Sequence, residues 1–356
     1  MSQNNGKIIN FLTKSNIWSI YILIVAIIII GMSLIPIYIW KISYCSNTII
    51  VLILTAPENE IKRDALRNTY MEIKKVYHKK YEKIIYLKYY FIIGDENLPK
   101  NVTEKLILEQ STQKDIIFVP VKDNYDNLTL KMMEAFCYLH NRLSFYFDFN
   151  YIMKFDDDIF VNVEELGQEL IQIEAKHLKL KLNSQKKLNT KYLSVNVQSN
   201  GRNIGENYKL YWGFMIGNSQ IYKNGKYKES NWILCDYYIP YALGGGYILS
   251  KAIIKFFVKN KNDLRYYHSE DVSVGAWLAS VNNIVRIHDR RFDTEYVSRG
   301  CQNYYLIRHN VSPDEMMEMY KNLKEKRQLC TKEQRNVKEY LYDWSVAPTK
   351  CCNRVL

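Results

Sequence analysis

Residues 17–40 read IWSIYILIVAIIIIGMSLIPIYIW, about 24 residues without a charge. At about 1.5 Å of rise per residue, a helix of this length crosses a hydrocarbon core of roughly 30 Å. Trp18, Tyr21, Tyr38 and Trp40 lie near the ends of the run, where interfacial aromatics sit. Pro36 falls near the exit, where it is tolerated. The segment ahead carries Lys7 and Lys14 and no acid, and Lys41 follows the run. A cleaved signal peptide is the alternative, but the run is long for a signal core and lacks a small-residue cleavage site. The expectation is a retained signal anchor over 17–40, with a cytosolic tail 1–16, a short stem 41–47 and a luminal domain 48–356.

A luminal domain fits the cysteines and sequons. There are seven Cys and no CxxC pair with zinc spacing. In an oxidising lumen most of the later ones pair, and Cys137, inside a helical pattern, is the candidate for a free buried thiol. Asn101, Asn127 and Asn310 each open an Asn-x-Ser/Thr sequon. The formal net charge of +12 raises the question of nucleic acid. The lysines, however, are spread along KKVYHKKYEK (74–83) and KHLKLKLNSQKK (176–187), with no zinc-finger spacing and no arginine-rich arm. They read as a solvated surface, with a nucleotide or polyanionic partner as the alternative. Tyrosine is frequent, at 30 residues; most read as strand and core filler, with some left for sugar stacking.

NTIIVLILTAP (47–57), IIYLKYYFIIG (84–94), DIIFVPV (115–121) and FNYIMKF (149–155) read as buried strands. EIKRDALRNTYMEIKKVY, NLTLKMMEAFCYLHNRL (127–143) and VEELGQELIQIEAKHLK (163–179) have helical spacing. Strands alternating with helices predict a mostly parallel, Rossmann-like α/β sheet covered on both faces. The Asn/Lys/Ser-rich stretch 181–209 reads as an exposed insertion or long loop between a first half (48–180) and a second (210–356). Residues 211–247 read as irregular, followed by a short helix over SKAIIKFFVKN. Near the C-terminus Ser312, Pro313 and Glu315 spell the start of an amphipathic helix with a capping box.

Three constellations carry candidate chemistry. In KFDDDIFVN (154–162), Asp156, Asp157 and Asp158 stand between two apolar runs, just past a strand end where open α/β sheets bind ligands. Adjacent carboxylates there require a cation, and a hard divalent ion bridging a diphosphate suits them; an ordinary acidic turn is the alternative. In YHSEDVSVGAWL, Glu270 and Asp271 precede a buried helix start, either as capping acids or with one as a general base for an acceptor hydroxyl. In YIPYALGGGYILS, Gly244, Gly245 and Gly246 permit close backbone approach, as a sugar-binding floor with Tyr241 and Trp212 or as a tight packed turn. The Lys-Ser/Thr of a P-loop is absent.

Together these pieces resemble the β1,3-glycosyltransferase family that includes β1,3-galactosyltransferases, β1,3-N-acetylglucosaminyltransferases and Fringe proteins. RDALRNTY, DNYDNLTLKMMEAF, KFDDDIFVN, YIPYALGGGYILS and SEDVSVG reproduce the order of its motifs. Tyr70 stands where the family's block has Trp, and Phe155 where a smaller residue is common. LYWGFMIG, HDRRFDTEYVSRGCQNYYLIRH and the tail YDWSVAPTKCC are closest to the branch that extends the galactosyl-xylosyl-serine linker of proteoglycans. The resemblance covers nearly everything after residue 48 except 181–209. It implies a GT-A fold, UDP-galactose as donor, Mn²⁺ as cofactor and inversion at the anomeric carbon. It implies a Golgi setting, a proteoglycan core protein as partner, association with other linker glycosyltransferases, and no nucleic acid. Asp158, with Asp156, would hold the metal, and His309 would be the second protein ligand, with His288 as fallback. Asp157 would help with the donor, alongside Arg67, Asp123, Tyr125 and Lys131. Asp271 would be the base with Glu270 beside it, and Trp212, Tyr241 and Gly244–Gly246 would shape the acceptor side.

The apolar run generates a topology test. In sealed microsomes the C-terminus is expected to resist protease until detergent is added, and digestion of the C-terminus without detergent reverses the orientation.

Overall fold

The computed structural model describes residues 46–142, 148–189 and 208–355. The expected anchor 17–40, the tail before it and residues 190–207 of the expected insertion lie outside the described residues. Among those described, no helix is long and apolar enough to cross a membrane.

The apolar run after the stem forms β1 (Ser46–Leu54), so the strand begins inside the stretch read as stem. Then follow α1 (Glu60–Arg67), β2 (Lys75–His78), β3 (Lys83–Gly94), α2 (Lys100–Gln113), β4 (Ile116–Val119) and α3 (Leu128–Asn141). β5 (Tyr151–Asp156) and β6 (Phe160–Val161) bracket the acidic triplet, and α4 (Val163–Asn189) follows. The second half contains β7 (Lys209–Ile216), β8 (Tyr241–Ser250), α5 (Lys251–Lys259), α6 (Glu270–Trp277) and β9 (Ile284–His288). β10 (Phe292–Asp293), β11 (Gly300–Cys301), β12 (Ile307–Arg308), α7 (Pro313–Lys326) and β13 (Gln334–Arg335) complete the described chain.

The main sheet runs β2-β3-β1-β5-β8-β7-β9, with β4 on β3. It is mixed rather than mostly parallel. β1 and β5 pair in parallel, but β8 runs antiparallel to both β5 and β7. The reading of 211–247 as irregular holds only for its middle, because β7 and β8 flank it. β7 is buried on both faces, so it lacks the polar–apolar alternation that marks a half-exposed strand. The helix expected through residue 77 stops at Arg67, and β2 follows a short turn. α4 continues through Asn189, so the stretch read as an insertion starts as helix. The capping box of α7 forms as spelled, Ser312 accepting from the Glu315 amide and the Glu315 carboxylate accepting from the Ser312 amide. This mixed α/β fold fits a GT-A-type glycosyltransferase.

Cys137 is free and buried as expected, and Cys235 is free and exposed. Cys301 bonds Cys330, and the neighbours Cys351 and Cys352 bond each other. Tyr70 lies fully inside, its hydroxyl donating 3.0 Å to the Ile159 carbonyl, so a phenol fills the place of the family's indole.

Arg67, expected at the donor site, is bonded to other side chains. Its guanidinium bonds Asp115, Glu109 and Asp64, and three carboxylates hold its charge despite the burial that opposes it. Beside it the Arg63 Nε and Nη2 donate 2.8 and 2.6 Å to the two oxygens of Glu109. This cluster rivets α1 to α2 and to the residue before β4. Removing one partner strands a guanidinium with no water to solvate it. Glu109→Gln is expected to cost about 3 kcal/mol or more, read as a lower urea midpoint. An unchanged midpoint would show that the cluster adds no net stability.

Candidate active site

The acidic triplet already contains part of the cation it needs. Lys154 on β5 is 1% exposed and its ammonium lies 2.8 Å from Asp156 Oδ1. Lys62 on α1 lies 2.8 Å from Asp157 Oδ1. Thr55 Oγ1 and Asn59 Nδ2 both donate 2.7 Å to Asp157 Oδ2. Asp157 is therefore fully engaged by protein donors and holds the loop between β5 and β6 in place rather than reaching a donor directly. Asp158 differs. Its Oδ1 is buried with no hydrogen-bond partner, 3.5 Å from His309 Nε2, and Lys62 reaches its other oxygen only at 3.9 Å. Burial, only partly offset by His309 and Lys62, raises the Asp158 pKa.

His309 meets the Glu295 carbonyl through Nδ1 at 3.1 Å, which turns its Nε2 toward Asp158. His288, the fallback, belongs elsewhere. Its ring stacks on Tyr340, Nε2 meets the Tyr340 carbonyl, and burial lowers its pKa. Among the described residues no group of three or more His, Cys, Asp or Glu converges on a cation position. An orphaned carboxylate oxygen facing an imidazole nitrogen nevertheless fits a divalent ion that draws its other oxygens from a diphosphate and water.

Across β8 lies the second carboxylate. Asp271 sits in the first turn of α6, accepting 2.8 Å bonds from its neighbour Val272 and from the Gly244 amide. Burial first, then the adjacent Glu270, push its pKa up to about 7. Its surface is only partly covered, so a hydroxyl can approach it. Glu270 is buried, its carboxylate 2.6 Å from Lys154 Nζ and accepting 2.6 Å from the Tyr247 hydroxyl. Lys154 also donates to the Gly244 carbonyl. Burial opposes the Lys154 charge, but Asp156 and Glu270 override it and raise its pKa.

The glycine triple has a different job from the sugar floor expected of it. A Cβ on Gly244 would meet Asp271 Oδ2 at 3.0 Å; on Gly245, Thr294 at 3.1 Å and His309 at 3.4 Å; on Gly246, Phe155 at 2.8 Å. These glycines admit the site's own side chains to the strand, and Gly246 makes room for the large Phe155. Trp212, expected at the acceptor side, is 0% exposed and donates 3.0 Å to Asp289, so it is core. Tyr241 is also buried, its hydroxyl 3.3 Å from Ser219. Asp123 and Lys131 pair at 2.7 Å where β1 and β3 end, with Lys131 also bonding the Thr55 carbonyl and Asp123 taking the Gly94 amide. Tyr125 sits in a row of rings next to α6. Lys62, Lys154, Thr55, Asn59 and Tyr247 were missed. The only signal for the lysines was that three adjacent acids need cations, and Lys154 stood beside them in KFDDD.

A mixed sheet with carboxylates and a histidine gathered at its strand ends defines the class as a glycosyltransferase. The chain belongs to the galactosyltransferase family, whose family model matches residues 61–290. It is 35% identical over 305 residues to mouse beta-1,3-galactosyltransferase 6, covering 85% of this chain and 82% of that protein. It is 30% identical over 279 residues to Arabidopsis thaliana hydroxyproline O-galactosyltransferase GALT6, covering 76% of this chain and 34% of that protein. Human UDP-GalNAc:beta-1,3-N-acetylgalactosaminyltransferase 2 is 28% identical over 219 residues, 61% of this chain and 36% of that protein.

Asp158→Asn keeps the shape but removes the charge that faces His309. UDP affinity in Mn²⁺, measured by calorimetry, is expected to fall at least about tenfold, as when one charged ligand of a cation site is lost. Affinity without metal stays near wild type. Equal affinity of the two proteins in Mn²⁺ would take Asp158 out of the cation site.

Proposed function

We propose that the protein is an inverting β1,3-galactosyltransferase. It moves galactose from UDP-galactose to the galactose of Gal-β1,4-Xyl-O-Ser, the linker between glycosaminoglycan and core protein, as a single-pass Golgi membrane enzyme. The observation that carries the reaction type is the disposition of two unlike carboxylates about one glycine strand. Asp158 faces His309 with an orphaned oxygen, and Asp271 accepts from the Gly244 amide, with burial and Glu270 pushing its pKa up. The linker acceptor and the UDP-galactose donor rest on the motif resemblance and on the similarity to the mouse protein.

Asp158 and His309 would hold Mn²⁺, with Asp156 as the nearest further carboxylate; when bound, the ion supplies Lewis-acid stabilisation of the departing diphosphate. Asp271 accepts the proton of the acceptor O3 as that oxygen bonds to the anomeric carbon. The bond from that carbon to the diphosphate oxygen breaks, and its electron pair leaves with UDP. A single displacement inverts the centre, so one carboxylate base suffices and no covalent intermediate forms. Gly244 fixes the base through its amide, and Lys154 holds the same residue through its carbonyl. The similarity to the human N-acetylgalactosaminyltransferase favours a second donor, a UDP-N-acetylhexosamine, and a donor panel with linkage analysis of the product separates the two.

Asp271 gives the pH prediction. A raised carboxyl pKa means that the folded state holds a proton the unfolded chain has released. That stabilisation is complete below about 3.9, the ordinary aspartate value, and is lost as pH rises through about 7. Catalysis needs the ionised form, so kcat/KM is expected to rise with pH to a plateau above about 7. Asp271→Asn, which keeps the side chain's shape, should fold, bind UDP with Mn²⁺ and lose roughly 10²–10⁴-fold in transfer rate. Transfer by this variant at close to the wild-type rate would move the base elsewhere, with Glu270 next in line.

A further inference from the structure

With Trp212 and Tyr241 inside the protein, the acceptor side lacks the aromatic surface expected of it. Other tyrosines supply one. Tyr125 and Tyr227 lie 5.5 Å apart, ring to ring, and Tyr227 and Tyr296 lie 6.5 Å apart, both edge to face. The row starts near the base, where Tyr125 lies 5.2 Å, ring to ring, from His268, next to Ser269 at the head of α6. It ends at Tyr296, whose chain neighbour Glu295 meets His309 Nδ1 through its carbonyl. Burial, then Tyr296 and Tyr222, then the charges of Asp271 and Asp156 push the Tyr227 hydroxyl up, so this ring lies in the field of both carboxylates. Tyr296 is 78% exposed, and Tyr222, 5.9 Å from Tyr227, is 49% exposed.

Rings this exposed contribute little to a core. A pyranose, however, carries an apolar face of C–H bonds whose positive edge complements the negative face of an aromatic ring. We propose that Tyr227 and Tyr296 form a stacking platform for the acceptor saccharide, holding its sugar between Asp271 and the Asp158–His309 pair. This rests on the galactosyltransferase reading and names how that site grips its acceptor. The ring does the holding and the hydroxyl does not, which separates stacking from hydrogen bonding.

The test pairs Tyr296→Ala with Tyr296→Phe and Tyr227→Leu with Tyr227→Phe, using a galactosyl-β1,4-xyloside as acceptor. The Ala and Leu variants should raise the acceptor KM about five- to tenfold, while the Phe variants stay within about twofold and the KM for the UDP-sugar holds. Calorimetric binding of the same disaccharide, with UDP and Mn²⁺ present, should weaken by the same factor. Unchanged acceptor affinity in the Ala and Leu variants overturns the platform. So does a rise in donor KM instead, which would mean the rings hold the nucleotide, or a wild type that binds no disaccharide. Galactose transfer by the wild type judges the function separately. A wild type that grips the disaccharide through these rings but uses another UDP-sugar keeps the platform and corrects the donor.

Discussion

One buried ammonium ties the two halves of the site together. Lys154 reaches Asp156 on its own strand, Glu270 at the head of α6 and the carbonyl of Gly244 on β8. An isolated ammonium there would be prohibitively costly, and so would the buried Glu270 carboxylate alone. Each is tolerable because the other is present. The cation side and the base side are thus set against one another by a charge that solvent hardly reaches, and the geometry does not depend on surface ion pairs that salt would screen.

The triplet then divides its work by neighbour. Asp156 belongs to Lys154, and Asp157 belongs to Lys62, Thr55 and Asn59. Asp158 is left with an unanswered oxygen opposite an imidazole. Three identical side chains in a row have three environments, and only one is left open to a further cation. A similar division separates Glu270 from Asp271. The buried glutamate has a lysine and a phenol, whereas the partly open aspartate has two backbone amides and a raised pKa.

Much of this was legible in the sequence, and the exceptions have physical reasons. The strand ending at Asp156, the head of α6 and the cap of α7 are local patterns, and they appear where the pattern put them. His309 could be singled out only through resemblance, because a lone histidine carries no periodicity. Arg67 and Trp212 show one limit of reading motifs. Being part of a motif shows that a residue matters, not that it touches substrate, and both do their work in burial. β7 and β8 were obscured because strands covered on both faces lose alternation and because three glycines resemble a turn. The tyrosine row is scattered over residues 125, 227 and 296, and only the fold brings it together.

The glycine triple has a consequence for how such a protein can diversify. A side chain at residue 246 would collide with Phe155, and one at 244 or 245 would press tightly on Asp271 or on Thr294 and His309. The strand thus has no room for innovation, since a variant there disturbs the chemistry before it can alter preference. Freedom lies in exposed side chains such as Tyr296, which stand outside that strand. A lineage built on this scaffold would keep one reaction and change its clientele, with its history written in the rim rather than in the strand beneath.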